Sequence, residues 1–150
     1  MIDEIRKAIL RKINTLRDKD TKIYSETIEQ GFLEPCFYIK EVNSSQNREL
    51  GNRYKRDHLY DIHYFPNPNS PTKNADMRAM AEILYDQMEY IEVEGRPLMG
   101  LDMSHEIIEG VLHFFVRYPV YLYKETEPIP KMENLEIKGG LKYDQEENWK

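Results

Sequence analysis

The sequence predicts an α+β domain, with an antiparallel or mixed sheet of about five strands packed against two amphipathic helices. Three patterns carry that expectation. Apolar residues recur at helical spacing near the N-terminus, they do so again from Met77 to Met88, and a long strict alternation fills Gly110–Lys124. In that last stretch, GVLHFFVRYPVYLYK, one phase holds Leu112, Phe114, Val116, Tyr118, Val120 and Leu122. The other holds Val111, His113, Phe115, Arg117, Pro119, Tyr121 and Tyr123. Successive strand side chains point to opposite faces, so the first set reads as a core face and the second as a partly wet one.

Taken in order, Ile2, Ile5, Ile9, Ile13 and Leu16 form the stripe of a first helix ending near Arg17. Lys22–Glu26 is a short strand, and Gly31 marks a turn. Cys36–Val42 is aromatic and β-branched and reads as a strand, with Pro35 at its start. Asn43–Asn52, NSSQNRELGN, is polar and rich in turn formers, and is expected to be a long loop. Tyr54–Phe65 resumes a strand, with Tyr60, Ile62 and Tyr64 in one phase and Asp57, Asp61 and His63 in the other. Pro66, Pro68 and Pro71 end it.

A second helix is expected from an N-cap at Asn74 to about Glu89, its stripe made of Met77, Met80, Ala81, Leu84 and Met88. Strands then follow at Tyr90–Val93 and Leu98–Ile108, the second with Met99, Leu101, Met103 and Ile107 on one face. Glu94-Gly95 and Glu109-Gly110 are the turns, which makes Gly110–Lys124 the last strand of an antiparallel meander. Pro119 favours an edge or bulge at its position. After Lys124 the pattern fails: Pro128 and Pro130 interrupt it, Met132–Ile137 holds a few apolar residues, and Gly139-Gly140 precedes a polar end. Residues 1–131 are therefore expected to form one domain, with 132–150 a partly flexible extension.

The composition of the 150 residues narrows the function classes. A net charge of −6, from 27 acidic and 21 basic side chains, makes the chain a poor general binder of phosphate backbones. Cys36 is the lone cysteine, so neither an internal disulfide nor a multi-cysteine metal site is available. The N-terminus lacks the basic start and apolar run of a signal peptide, and no segment approaches the ~20 apolar residues of a membrane span. The expectation is a soluble chain, intracellular when synthesised, with no membrane partner.

No phosphate-binding glycine loop, zinc-protease helix motif or nucleophile elbow is present. The best set for chemistry is His58, Asp61 and His63, which would serve a small metal-dependent enzyme if they converged. Strand spacing works against them: Asp61 and His63 share a face, and His58 falls on the opposite one unless a bulge intervenes. Asp102, His105 and Glu106 are split in the same way. Cys36 has no histidine placed beside it by spacing. Arg48, Arg53, Lys55 and Arg56 form a local basic excess around Tyr54, diluted by Glu49 and Asp57. A solvated strand end or a charged protein interface suits it better than nucleic acid. No catalytic, cofactor-binding or metal residue is assigned, and a structural or interaction role remains.

Five segments add a resemblance. IYSETIEQGFLEPCFYI (23–39), LGNRYKR (50–56), IHYFP (62–66), MEYIEVEG (88–95) and DMSHEIIEGVLHFFVRY (102–118) resemble, in order and spacing, a family of tail terminator or tail completion proteins of long-tailed phages and prophages of Gram-positive bacteria. The resemblance implies an α+β virion component, not an enzyme, and no cofactor. It implies a ring, six-fold by the family's habit, on the last disc of the tail tube. The ring's partners would be the tail tube protein and the head–tail connector, and the protein would assemble in the host cytoplasm and end at the head–tail junction. A head-closure or connector role in the same virion is the neighbouring alternative. Ring closure needs a heterologous interface, and the candidate contact residues are Arg53, Lys55, Arg56, His113, Phe115, Arg117, Tyr121 and Trp149. The negative net charge would suit a lumen through which DNA slides without sticking.

Overall fold

Ile5, Ala8, Ile9 and Ile13 are buried along one stripe of the first helix, α1 (Ile2–Leu16), and this stripe faces a sheet. The structure is a computed structural model that describes residues 2–25 and 33–125. Gly31, Pro128, Pro130, Met132–Ile137, Gly139, Gly140 and Trp149 lie outside the described residues.

After α1 come β1 (Lys22–Tyr24), β2 (Cys36–Arg48), β3 (Arg53–Phe65), α2 (Lys73–Gln87), β4 (Tyr90–Val93), β5 (Arg96–Met99), β6 (Leu101–Ile108) and β7 (Val111–Tyr123). The main sheet has five strands in the order β1-β2-β3-β7-β6, and β4 and β5 form a separate two-stranded sheet. Among the described strands of this sheet, only the β1–β2 pairing is parallel. The α+β expectation therefore holds, with a mixed, mostly antiparallel sheet.

One face of the sheet is covered. Phe37, Ile39, Tyr60, Ile62, Leu112, Phe114, Val116 and Tyr118 meet the α1 stripe and Met77, Ala81, Leu84 and Met88 of α2 in one core. Met80, also expected in the stripe, is only partly buried at its margin. α1 lies against β4, and α2 against β7 and β6. The even phase of β7 is thus the core face, as the alternation predicts.

Three expectations need correction. Asn43–Asn52 is not a long loop. After a bulge between Glu41 and Asn43, β2 continues to Arg48 in register with β3, and only residues 49–52 turn. A ladder is built from backbone groups, so polar side chains do not forbid it where both faces meet water. Second, Leu98–Ile108 is two strands. Gly100 separates them because a Cβ there would lie 2.6 Å from the Met88 carbonyl oxygen and 2.8 Å from Val116 Cγ2. The chain passes this crowded point and changes sheets, so β4, β5, β6 and β7 are two hairpins, not one meander. A bulge between Leu101 and Ser104, with Asp102 at φ 53°, then shifts the phase. Met99, Leu101 and Ile107 are accordingly exposed, while Met103 packs against the core. Third, the N-cap of α2 is Thr72, not Asn74. The Asp76 carboxylate orders the entry by accepting from Ser70 Oγ (2.6 Å) and Thr72 Oγ1 (3.1 Å).

Both expected Xaa-Gly turns are present. Glu94-Gly95 (φ 52° and 78°) and Glu109-Gly110 (φ 50° and 77°) have positive φ at both central positions, the mark of the type I′ turn that matches strand twist. Pro119 also sits where expected. The β6 pairing stops at Leu101–Arg117, so β7 is an edge on that side from Tyr118 onward.

Candidate functional site

The helices leave the second face of the main sheet bare. Alternation from β3 and β7 puts His63, Asp61, Leu59, Lys55 and Arg53 there, beside His113, Phe115, Arg117, Tyr121 and Tyr123. This face is half-buried and aromatic at its β1–β2 end. The His63 ring is edge-on to Tyr38 at 5.3 Å and lies 4.3 Å from the His113 ring, which stacks on Phe115 at 6.4 Å. Side chains of this kind, without a covering layer among the described residues, are more typical of a contact surface than of a solvated one.

Beyond the helices, β2, β3 and β7 run on as a three-stranded arm. Residues 43–48 of β2 are exposed on both faces. At its tip the Asn52 side chain donates to the Lys124 carbonyl (2.9 Å), and Lys124 N–H donates to the Asn52 carbonyl (2.9 Å). Among the described residues both sides of the arm are open edges, because β1 pairs only with Cys36–Tyr38 of β2 and β6 ends at Arg117 of β7. A groove of about 550 Å³ lies where the β4–β5 hairpin meets this end of β7, lined by Val93, Pro97, Leu98, Pro119, Val120 and Leu122 among others.

The structure gathers most of the expected contact residues on the bare face. The Arg53 guanidinium lies 4.5 Å from the centre of the Tyr121 ring and pairs with Glu49 at 3.0 Å. Lys55 is Tyr121's register partner. Arg117 pairs with Asp102. Arg56 is set apart: it shares the phase of Tyr60, on the opposite face, and donates to Gln46 Oε1 at 2.6 and 3.0 Å.

The proposed His58, Asp61 and His63 set does not assemble. His58 is fully buried on the core-side phase, near Glu41 (3.7 Å) and Ser44 Oγ (3.1 Å). Burial holds its imidazole below the ordinary range, and the Glu41 carboxylate opposes that shift. What Asp61 and His63 do meet is His113, the register partner of His63 on β7. Asp61 Oδ2 is 2.9 Å from His63 Nε2 and 3.0 Å from His113 Nδ1. No spacing rule could give this trio, since Asp61 and His113 are 52 positions apart and only the β3–β7 register joins them.

The other expected set is also dispersed. Asp102 holds Arg117, His105 Nδ1 is 2.8 Å from the Tyr85 hydroxyl, and Glu106 is exposed. Cys36 is buried, and desolvation raises its thiol to about 11, the opposite of an activated nucleophile. No described helix is long and apolar enough to cross a membrane.

The sequence places the chain among virion tail-completion proteins. It belongs to the phage tail terminator protein family, whose profile matches residues 4–130 and so takes in the described sheet, almost all of α1 and all of α2. Among solved structures it is similar to a chain in the virion of a native gene transfer agent particle, at 10% identity and a TM-score of 0.47, covering 79% of this chain and 93% of that one. It is also similar to the PVC sheath/tube terminator of an extracellular contractile injection system in the extended state, at 12% identity and a TM-score of 0.45, covering 97% of this chain and 64% of that one. No curated protein matches the sequence.

Proposed function

We propose that copies of this chain form a ring on the last disc of the tail tube, stop its polymerisation and offer the head–tail connector a docking surface. The family match across residues 4–130 carries this reading. The bare sheet face and the open-edged arm support it physically. A ring needs two different surfaces that meet around a rotation axis, and strand addition between edges is one economical way to join them. The β2 edge from Ile39 to Arg48 and the β7 edge from Tyr118 to Tyr123 are two such unlike surfaces. Arg53, Lys55, Phe115, Arg117 and Tyr121 flank them, and Arg56 lies on the other side of the same arm.

The protein acts without catalysis, assembles in the host cytoplasm and remains at the head–tail junction. The ring is six-fold, the symmetry that the family resemblance implies. A net charge of −6 suits a lumen through which DNA passes without retention.

Deleting the gene from its phage tests the proposal. The expected result is headless tails of uncontrolled length, seen by negative-stain electron microscopy. Normal virions would refute the role. Binding of the purified chain to isolated tail tubes, and not to the connector alone, separates tail termination from head closure.

A further inference from the structure

We propose that Asp61, His63 and His113 form a binding site for a divalent transition-metal ion of the zinc class on the helix-free face of the sheet. Each residue offers one donor atom, and the three donors lie within 4.8 Å of one another. Around an ion bound at ~2.1 Å to each ligand, donors sit about 3.4 Å apart, so the trio closes on an ion with small side-chain rotations. Asp61 Oδ2 already stands 2.9 and 3.0 Å from the two imidazole nitrogens.

Hydrogen bonding does not satisfy the cluster. His113 Nδ1 and Asp61 Oδ2 are aligned for a bond. His63 Nε2 is as near to that oxygen but out of line for one, and neither this nitrogen nor Asp61 Oδ1 has a hydrogen-bond partner among the described residues. Asp61 is only 6% exposed. Buried polar atoms left unpaired are costly, and a carboxylate oxygen costs more than a neutral group. A cation between the three side chains meets both the unaligned nitrogen and the carboxylate charge.

The scaffold suits such a site. β3 and β7 are interior strands at this point, each paired on both sides, so the ligands stand on rigid backbone. Tyr38 and Phe115 flank the imidazoles and limit their rotation. Lys40 is the register partner of Asp61, and Glu106 that of His113, so one charge of each sign borders the trio. Two imidazoles with one carboxylate favour Zn²⁺, Co²⁺ or Ni²⁺ over Ca²⁺ or Mg²⁺, which prefer oxygen donors throughout. Three protein ligands leave a fourth coordination position for water.

The test is titration of the purified, chelator-treated full chain with ZnCl₂, followed by calorimetry, and with CoCl₂, followed by visible absorption. One ion per chain and a Co²⁺ ligand-field band are expected. His63→Ala and His113→Ala should each weaken Zn²⁺ binding at least 10-fold, and Asp61→Asn, nearly isosteric, should do the same with its circular dichroism unchanged. His105→Ala, an imidazole outside the trio, should leave binding intact. Less than stoichiometric uptake by the wild-type chain, or wild-type Zn²⁺ affinity in Asp61→Asn, overturns the site. Because the readout is metal bound to the isolated chain, it stands or falls separately from ring formation.

Discussion

Tyr118 and His58 are buried polar side chains with different consequences. The Tyr118 hydroxyl donates to the Met88 carbonyl at 2.7 Å, closing the C-terminal end of α2 against β7. Burial holds its phenol well above the ordinary range, so it remains a donor at any physiological pH. Tyr118→Phe should cost about 1–2 kcal/mol in urea unfolding, because the carbonyl loses its partner inside the core. Phe114→Ala should cost about 3–5 kcal/mol, and Arg117→Ala, on the half-exposed phase, less than about 1 kcal/mol. Equal losses at the two positions would contradict the assignment of faces. His58 bears on pH. Its imidazole is held below the ordinary value of 6.5, so the unfolded chain binds its proton more readily than the folded one. Its contribution is complete above that value and is lost as pH falls toward the depressed one. Wild-type stability should therefore drop as pH falls below about 6.5, and His58→Gln should flatten that part of the profile, as read by thermal melts.

Gly100 and the two tight turns act on strands. Gly100→Ala would drive a Cβ against a main-chain carbonyl that cannot swing aside, and overpacking of this kind costs about 1–3 kcal/mol. Glu109→Asn should do the reverse. Asparagine tolerates positive φ better than glutamate and favours the type I′ turn, so a gain of a few tenths of a kcal/mol in chemical denaturation is expected. These positions also explain what sequence could and could not tell. α1, the β4 bounds and both phases of β7 were readable because apolar side chains at fixed spacing mark a buried face. The distal half of β2 was not, because NSSQNR is wet on both faces and carries no period. The break at Gly100 was hidden for another reason. A lone glycine inside an alternating run says that something approaches closely, but not that the chain changes sheets. The Asp61, His63 and His113 trio had no local signal at all. His63 was correctly paired with Asp61 by phase, and the third member came from a strand whose register only the folded sheet defines.

The described residues form a sheet with one face committed to a core and one left open, continued by an arm that has unlike edges. If the open face meets a neighbour, Tyr121→Ala and Phe115→Ala should leave the isolated chain within about 1 kcal/mol of wild type in melting experiments. They should nonetheless abolish rings on tails in electron micrographs. The edges themselves raise a question of timing. Unpaired strands invite association wherever chains meet, and apolar ones would do so in free solution. Here Asn43, Ser44, Ser45, Gln46, Asn47 and Arg48 give the distal half of the β2 edge no apolar side chain with which to hold a partner. Pairing through such an edge rests on main-chain bonds alone and is weak between freely diffusing molecules. Held on a tube end beside its neighbours, the same edge meets its partner at an effective concentration far above that of the solution. The polarity of this half-strand thus acts as a delay, keeping the ring from closing before there is a tail to close upon.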